Sequence, residues 1–413
     1  MKRRVNCGMV VLVLVAGMAS TALADDEFTG SGTEGDPYQI GTAEHLQSLS
    51  KYSDYWDPNI YFKQIDDIII PPGMTIDPIG NATTMFAGIF DGAGHTISGL
   101  NQSGSDYLGL FGYTTSSARI SNLSITAATI NGLSNIGILA GRNYGSISHC
   151  SATGEVTGDS FLGGLVGYNR DGTISNCYAT GAVTGESEYL GGLVGSNVFA
   201  TISHCYATGA VNGRNVVESL GGLVGYIYDA TISNCYATGA VNSGDNSWCL
   251  GGLVGRGYNS TISNCYATGA VTAGVGSGGL GGLVGENRSD ISNCYATGAV
   301  TAGIGSGDLG GLVGYYDSGN INNCYWDINT TGQTTSPGGG TGKTTEKMKQ
   351  EVTFTDSGWN FTDTWLIIES KSYPYQIISA GPTPPILGDL NGDGKVNLLD
   401  WAIFCQHWLE GTS

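Results

Sequence analysis

Positive charge and large side chains are scarce in this chain. Only 16 of its 413 residues are Lys or Arg, against 35 Asp or Glu, and charged residues of both signs make up 12%. The formal net charge of −19 argues against nucleic acid and against anionic membrane surfaces as partners. The six Arg between residues 100 and 330 are scattered and form no basic patch. Beyond an apolar stretch near the N-terminus, no segment approaches the run of about 18 apolar residues that a membrane helix needs. Aromatics are 9% of the chain and Pro numbers 10. A chain this poor in ion pairs and bulky side chains, with 68 Gly, must rely on an extended backbone hydrogen-bond ladder.

Repetition is what the sequence does have. The phrase LGGLVG occurs intact at 162–167, 190–195, 220–225, 250–255, 280–285 and 309–314, and in degenerate form as YLGLFG (107–112) and IGILAG (136–141). Its shared leucines, Leu110, Leu139, Leu165, Leu193, Leu223, Leu253, Leu283 and Leu312, are separated by 29, 26, 28, 30, 30, 30 and 29 residues. A second phrase, TISNCYATGAV, runs between them, with copies starting at Thr173, Thr201, Thr231, Thr261 and Asp290. Such a period marks a solenoid, in which each unit buries its apolar face only against its neighbours. β-Branched and aromatic residues interrupted by Gly disfavour stacked helix pairs. Three short apolar stretches per unit predict an all-β, right-handed parallel β-helix of ~28–30 residues per coil, and at the ~4.8 Å strand spacing eight coils span roughly 40 Å.

The degenerate copies orient the side chains. ISNLSITA (120–127), aligned on ISNCYATG, puts Leu123 at the Cys position, Ser124 at the Tyr position and Ile125 at the Ala position. The Cys and Ala positions therefore face the core and the Tyr position faces out. The residue before Cys is Asn122, Asn176, Asn234, Asn264, Asn293 or Asn323, or else His149 or His204. Asn suits a left-handed bend and can bond its copies above and below, which predicts an asparagine ladder. Cys150, Cys177, Cys205, Cys235, Cys265, Cys294 and Cys324 share one position. Disulfides are the first thought in an exported chain, but seven is odd, and in-register neighbours on parallel strands point the same way. A column of reduced, buried thiols serving as apolar filler is expected.

The segments outside the repeats divide as follows. Residues 1–24 read as a secretory signal peptide, with Lys2, Arg3 and Arg4 before an apolar run and Ala22-Leu23-Ala24 before Asp25, so the protein is expected to be secreted or on the cell surface, with no transmembrane segment after cleavage. Residues 25–100 read as an N-terminal cap and first coils, with strands at 36–40 and 61–70 and a helix from Thr42 through Tyr52. Residues 101–330 form the repeat. Residues 331–379 form a C-terminal cap, with a short Thr-capped helix in 343–350 and aromatics that could close the stack. Residues 380–388 form a Pro-rich linker before a small unit at 389–413.

LGGLVG with its ISNCYATG partner, FDGAGHTISGL (90–100) upstream and GWNF with SYPYQI downstream together resemble the GLUG-repeat proteins. These are large bacterial surface and secreted proteins that include adhesins and parts of immunoglobulin-A peptidases. The resemblance spans roughly 28 to 379 and implies a β-helical stalk or binding surface without implying an activity. No protease motif such as HExxH is present. DLNGDGKVNLLD (389–400) resembles a dockerin calcium loop. The resemblance implies Asp389, Asn391, Asp393, Lys395 through its carbonyl, Asn397 and Asp400 as Ca²⁺ ligands, with Gly394 at the sharp turn and Val396 in the apolar slot. The helix LLDWAIFCQHWL follows it. Dockerins carry two such units and one is found here, so the expected docking receptor is either a cohesin-like partner or a surface attachment site.

Chemistry weighs less than scaffold in the repeat. A polysaccharide lyase or hydrolase needs paired carboxylates or an acidic site beside a basic residue. Glu188 and Glu218, each two residues before the Leu of LGGLVG, are the candidates, with Glu186 and Asp159 nearby and no Arg or Lys in register. His149 and His204 stand two coils apart, too far to share a metal. Tyr178, Tyr206, Tyr236, Tyr266, Tyr295 and Tyr325 form an outward column suited to stacking on sugars or a protein partner, or on one another. Interchangeable coils favour a non-catalytic module that binds polysaccharide or a cell-surface protein. A carbohydrate-active enzyme and a polysaccharide-binding component of a dockerin-type assembly are the alternatives.

Overall fold

The computed structural model describes residues 28–377. The expected signal peptide, linker and calcium unit lie outside these residues. The chain winds into an all-β parallel solenoid of about 9 turns with 7% helix.

One full turn shows how the sequence builds it. Val224–Tyr228 and Thr231–Ser233 lie in the first sheet, Tyr236–Ala237 and Val241–Asn242 in the second, and Trp248–Gly251 in the third. Corresponding strands of successive turns pair parallel and in register: Val194 with Val224 and Val224 with Val254, Ile202 with Ile232, and Leu220 with Leu250. The LGGLVG leucines carry the ladder round the corner, where the Leu193, Leu223 and Leu253 N–H groups donate to the carbonyls of Leu223, Leu253 and Leu283 at 2.9, 2.9 and 2.8 Å. All eight shared leucines are fully buried, each contributing about 1.5–3 kcal/mol of apolar burial. The corner needs Gly because coils approach backbone to backbone. A Cβ on Gly192 would lie 2.2 Å from the Gly222 carbonyl oxygen.

The predicted bend is present at every copy. Asn122, His149, Asn176, His204, Asn234, Asn264, Asn293 and Asn323 have φ between 51° and 53°, the left-handed region where a short polar side chain is tolerated. The amide ladder expected there is partial. Asn323 donates to Asn293 and Asn293 to Asn264, each at 3.3 Å, whereas Asn122 donates to Asp91. The continuous buried ladder runs elsewhere. Thr114 donates to Asn143, Asn143 to Asn169 and Asn169 to Asn197 at 2.8, 2.8 and 2.7 Å, and all four side chains are buried.

The ends are closed differently. At the N-terminal end, Thr42 caps the helix Ala43–Lys51 by accepting from the His45 N–H, and Leu46 and Leu49 are buried. Tyr38–Ile40 pairs with the 61–64 strand, and the expected single strand over 61–70 is split into Tyr61–Gln64 and Ile68–Ile69. At the other end Trp326 replaces the small Ala of earlier turns, in register with Ala296, and its indole N–H donates to Gln333. The Thr344-capped helix Thr345–Met348 follows. The expectation that the downstream aromatics close the stack is corrected. Phe354, Trp359 and Trp365 fold back over the side of the solenoid and pack with Tyr295 and Tyr325.

Candidate binding surface

The cysteine column points inward as expected. Cys150, Cys177, Cys205, Cys235, Cys265, Cys294 and Cys324 are buried and free. Each Sγ–H donates to the carbonyl two residues earlier, as Cys205 does to Ser203 at 3.1 Å, and each of several sulfurs accepts from the Cys N–H of the preceding turn, as Cys205 does from Cys177 at 3.4 Å. Burial pushes the thiols of Cys150, Cys177, Cys205, Cys235 and Cys294 well above the usual range.

The tyrosine column leaves the core but is not an open row. Tyr178, Tyr206 and Tyr236 stack on their successors with centroids 4.8 Å apart and rings within 6° of parallel, and Tyr266 stacks on Tyr295 at 5.1 Å. Tyr206, Tyr236, Tyr295 and Tyr325 are buried. Trp365 packs on Tyr266 and Tyr295, the Tyr295 hydroxyl donates to the Pro374 carbonyl at 2.5 Å, and Gln376 donates to the Asn264 carbonyl. Both faces of the inner rings are thus spent on one another and their edges on residues 354–377. Of the two readings of the six tyrosines, the column takes the one in which the rings stack on one another, and as a ligand-binding platform it is corrected. The physical reason is that one ring per turn sits at the 4.8 Å coil spacing, which is already a stacking distance.

Glu188 and Glu218 do face each other, paired in register on the third sheet. No Arg or Lys stands in register with them, as expected, but cations reach this edge of the coil from outside the column. Arg214 reaches Glu186 at 3.0 Å, and Arg256 reaches Glu218 at 3.6 Å. Arg256 comes from the strand Val254–Ser263 on the first sheet and Arg214 from the loop after Val211–Gly213, so sequence register hides both. His149 and His204 occupy bend positions, and no cluster of three or more metal-ligating side chains occurs among the described residues.

The residues that sequence reasoning missed surround the LGGLVG corner. A second left-handed column stands one residue before its first Leu, through Tyr107, Asn135, Phe161, Tyr189, Ser219, Cys249 and Asp308 with φ of 53–64°. Beside it, two residues after the Val of the corner, runs the in-register column Tyr113, Arg142, Tyr168, Ser196, Tyr226, Arg256, Glu286 and Tyr315. The two columns pack on each other, as Tyr189 does on Tyr226 at 4.9 Å, and Arg142 lies over the rings of Tyr113 and Tyr168 at 5.2 and 4.6 Å. Farther along, the row opens into a cleft of about 320 Å³ lined by Glu218, Trp248, Cys249, Arg256, Glu286, Arg288 and Tyr315.

Glu286 is the buried charge of this cleft. Arg256 Nε lies 2.9 Å and Arg288 Nε 3.3 Å from its carboxylate; both are ion-pair contacts in which the Nε–H has no hydrogen-bond acceptor. The Tyr258 hydroxyl donates to it at 3.2 Å, and the Cys249 Sγ–H donates at 3.2 Å. Burial pushes the Cys249 thiol up to about 12, so it stays protonated at neutral pH. The two guanidiniums offset the cost of burying the carboxylate.

Residues 162–184, 186–212, 217–242, 246–272 and 276–301 match the GLUG motif, so GLUG repeats are present. Halomucin of Haloquadratum walsbyi is 37% identical over 150 residues, which are 34% of this chain and 2% of halomucin. A candidate Gly-rich membrane protein of Evansella cellulosilytica is 34% identical over 154 residues, 34% of this chain and 18% of that protein. The chain thus matches only a small part of either relative. The crystal structure of a candidate immunoglobulin A1 protease from Bacteroides ovatus superposes with a TM-score of 0.51 at 21% identity, covering 85% of this chain and 95% of that one, which shows a shared fold. No helix among the described residues is long and apolar enough to cross a membrane.

Proposed function

We propose that the protein is an exported, non-catalytic β-solenoid that acts as a surface module, binding polysaccharide or a cell-surface protein. The observation that carries this reading is the sameness of the coils: the same Leu, Ile, Cys and Ala columns recur turn after turn, all buried. Such a stack presents a long rigid surface, and repeat architectures use such surfaces for binding. Export rests on the leader-like residues 1–24, and the GLUG repeats are consistent with a surface location. Attachment is assigned to residues 389–413, whose oxygen-rich donor set of Asp389, Asn391, Asp393, the Lys395 carbonyl, Asn397 and Asp400 suits Ca²⁺. A lone loop–helix of this length is marginal by itself, so it would engage a docking receptor or the solenoid.

The enzyme alternative rests on the cleft, where Glu218 and Glu286 share Arg256. Glu286 is held between two guanidiniums and is badly placed to give or take a proton. The test is binding of the full chain to a glycan array and to surface proteins, with turnover of acidic polysaccharides measured in parallel. Saturable binding without turnover is expected. Turnover abolished by Glu218→Gln would replace this reading with the enzyme.

A further inference from the structure

We infer that the cleft at Trp248, Glu218 and Arg256 is a binding site for a neutral polysaccharide chain lying along the solenoid axis. This rests on the surface-module reading and names its ligand and place.

Along the described corner columns, the cleft is where an exposed indole stands beside a buried, paired carboxylate. Trp248 stands in register between Glu218 and Gly278, and Gly278 pairs with Gly307. The indole leans along the axis over Gly278, where a Cβ would lie 2.7 Å from its Cζ3. A side chain at 278 would have to displace the indole. Trp248 is nonetheless 45% exposed, so its outer face is open. Past it, the exposed Gly307 adds no side chain to the trough. Tyr315, 41% exposed, flanks the trough two turns farther along.

The polar groups beside the indole are fixed. Arg256 is held by Glu286 and also donates to Cys249 Sγ at 3.2 Å, and it reaches the exposed Glu218 at 3.6 Å. A flat apolar face next to a planar carboxylate and guanidinium matches a pyranose, which offers an apolar C–H face and paired hydroxyls. Charge selects among sugars. Arg256 and Arg288 meet three carboxylates, Glu218, Glu286 and Asp317, so no free cation remains to hold a polyanion, and the chain carries −19 overall. A neutral polysaccharide fits, and a polyuronate is repelled.

The test is titration of the full chain with soluble neutral glucan, mannan and galactan, and with polygalacturonate, read by tryptophan fluorescence and calorimetry. At least one neutral polymer should bind and polygalacturonate should not. Trp248→Ala should weaken binding about tenfold, and Glu218→Gln should weaken it less. Tyr52→Ala, an exposed aromatic at the N-terminal end, should leave it unchanged. All variants should keep the parent circular dichroism. Equal binding by Trp248→Ala would overturn this site while leaving the surface-module reading in place. Preference for polygalacturonate would overturn the ligand class. Failure of all polymers to bind would overturn the inference, and if cell-surface proteins also failed to bind, the module reading would fall with it.

Discussion

Gly192 and Cys205 show how single residues set this fold. A side chain on Gly192 must push the neighbouring coil away, because its Cβ would meet the Gly222 carbonyl oxygen at 2.2 Å. Gly192→Ala should therefore lower stability by about 3 kcal/mol, measured by denaturant unfolding. The thiols give a pH test. The folded pKa values of Cys150, Cys177, Cys205, Cys235 and Cys294 are raised above the unfolded value, so their stabilisation is whole below about pH 8.5 and is lost as pH rises above it. Stability should fall from about pH 8.5 upward, by as much as about 1.4 kcal/mol per pH unit for each thiol that ionises only on unfolding. A melting temperature that holds steady to pH 10.5 would contradict the buried, protonated column. At this scale much was readable beforehand. The Leu123 and Ile125 substitutions oriented the Cys and Ala columns, and Asn or His marked the left-handed bend. The second bend was hidden because its members, from Tyr107 to Cys249, share no chemistry. The buried Asn143, Asn169 and Asn197 were hidden because turns 227 and 257 carry Ile and Gly there.

Among elements, the segment 354–377 most changes the picture. It seals the tyrosine stack by contacts such as Trp365 on Tyr295, with ring centroids 6.1 Å apart, between residues 70 positions apart in sequence. No local period encodes such a contact, so the self-stacking of the column was legible and the segment that covers it was not. Trp365 is fully buried, and Trp365→Ala should cost about 3–5 kcal/mol. The loss should appear as faster proteolysis within 350–377, with the solenoid intact, because this segment can open by itself. If the variant instead unfolds globally at a much lower temperature, the segment is integral to the stack rather than a cover. The candidate cleft escaped the sequence for a related reason. Glu218, Trp248, Arg256 and Glu286 lie on two sheets and three turns, and only the corner between the sheets brings them together.

For the whole molecule, coil sameness makes length a free variable and places specificity in the few turns that depart from the repeat. The calcium unit adds a separable test. Calorimetry on the full chain should show one Ca²⁺ bound, and Asp389→Ala with Asp400→Ala should abolish it without altering the solenoid's circular dichroism; no heat in the parent would reduce the loop to a polar turn. The central claim, that the coils are interchangeable units of one stack, is tested most directly by excising residues 165–192. The cut joins Gly164 to Leu193 and restores LGGLVG. Stability in such a stack is roughly a sum of unit and interface terms. The account predicts a single cooperative thermal transition by circular dichroism, with the parent β spectrum and a modestly lower melting temperature. Loss of the cooperative transition would contradict it.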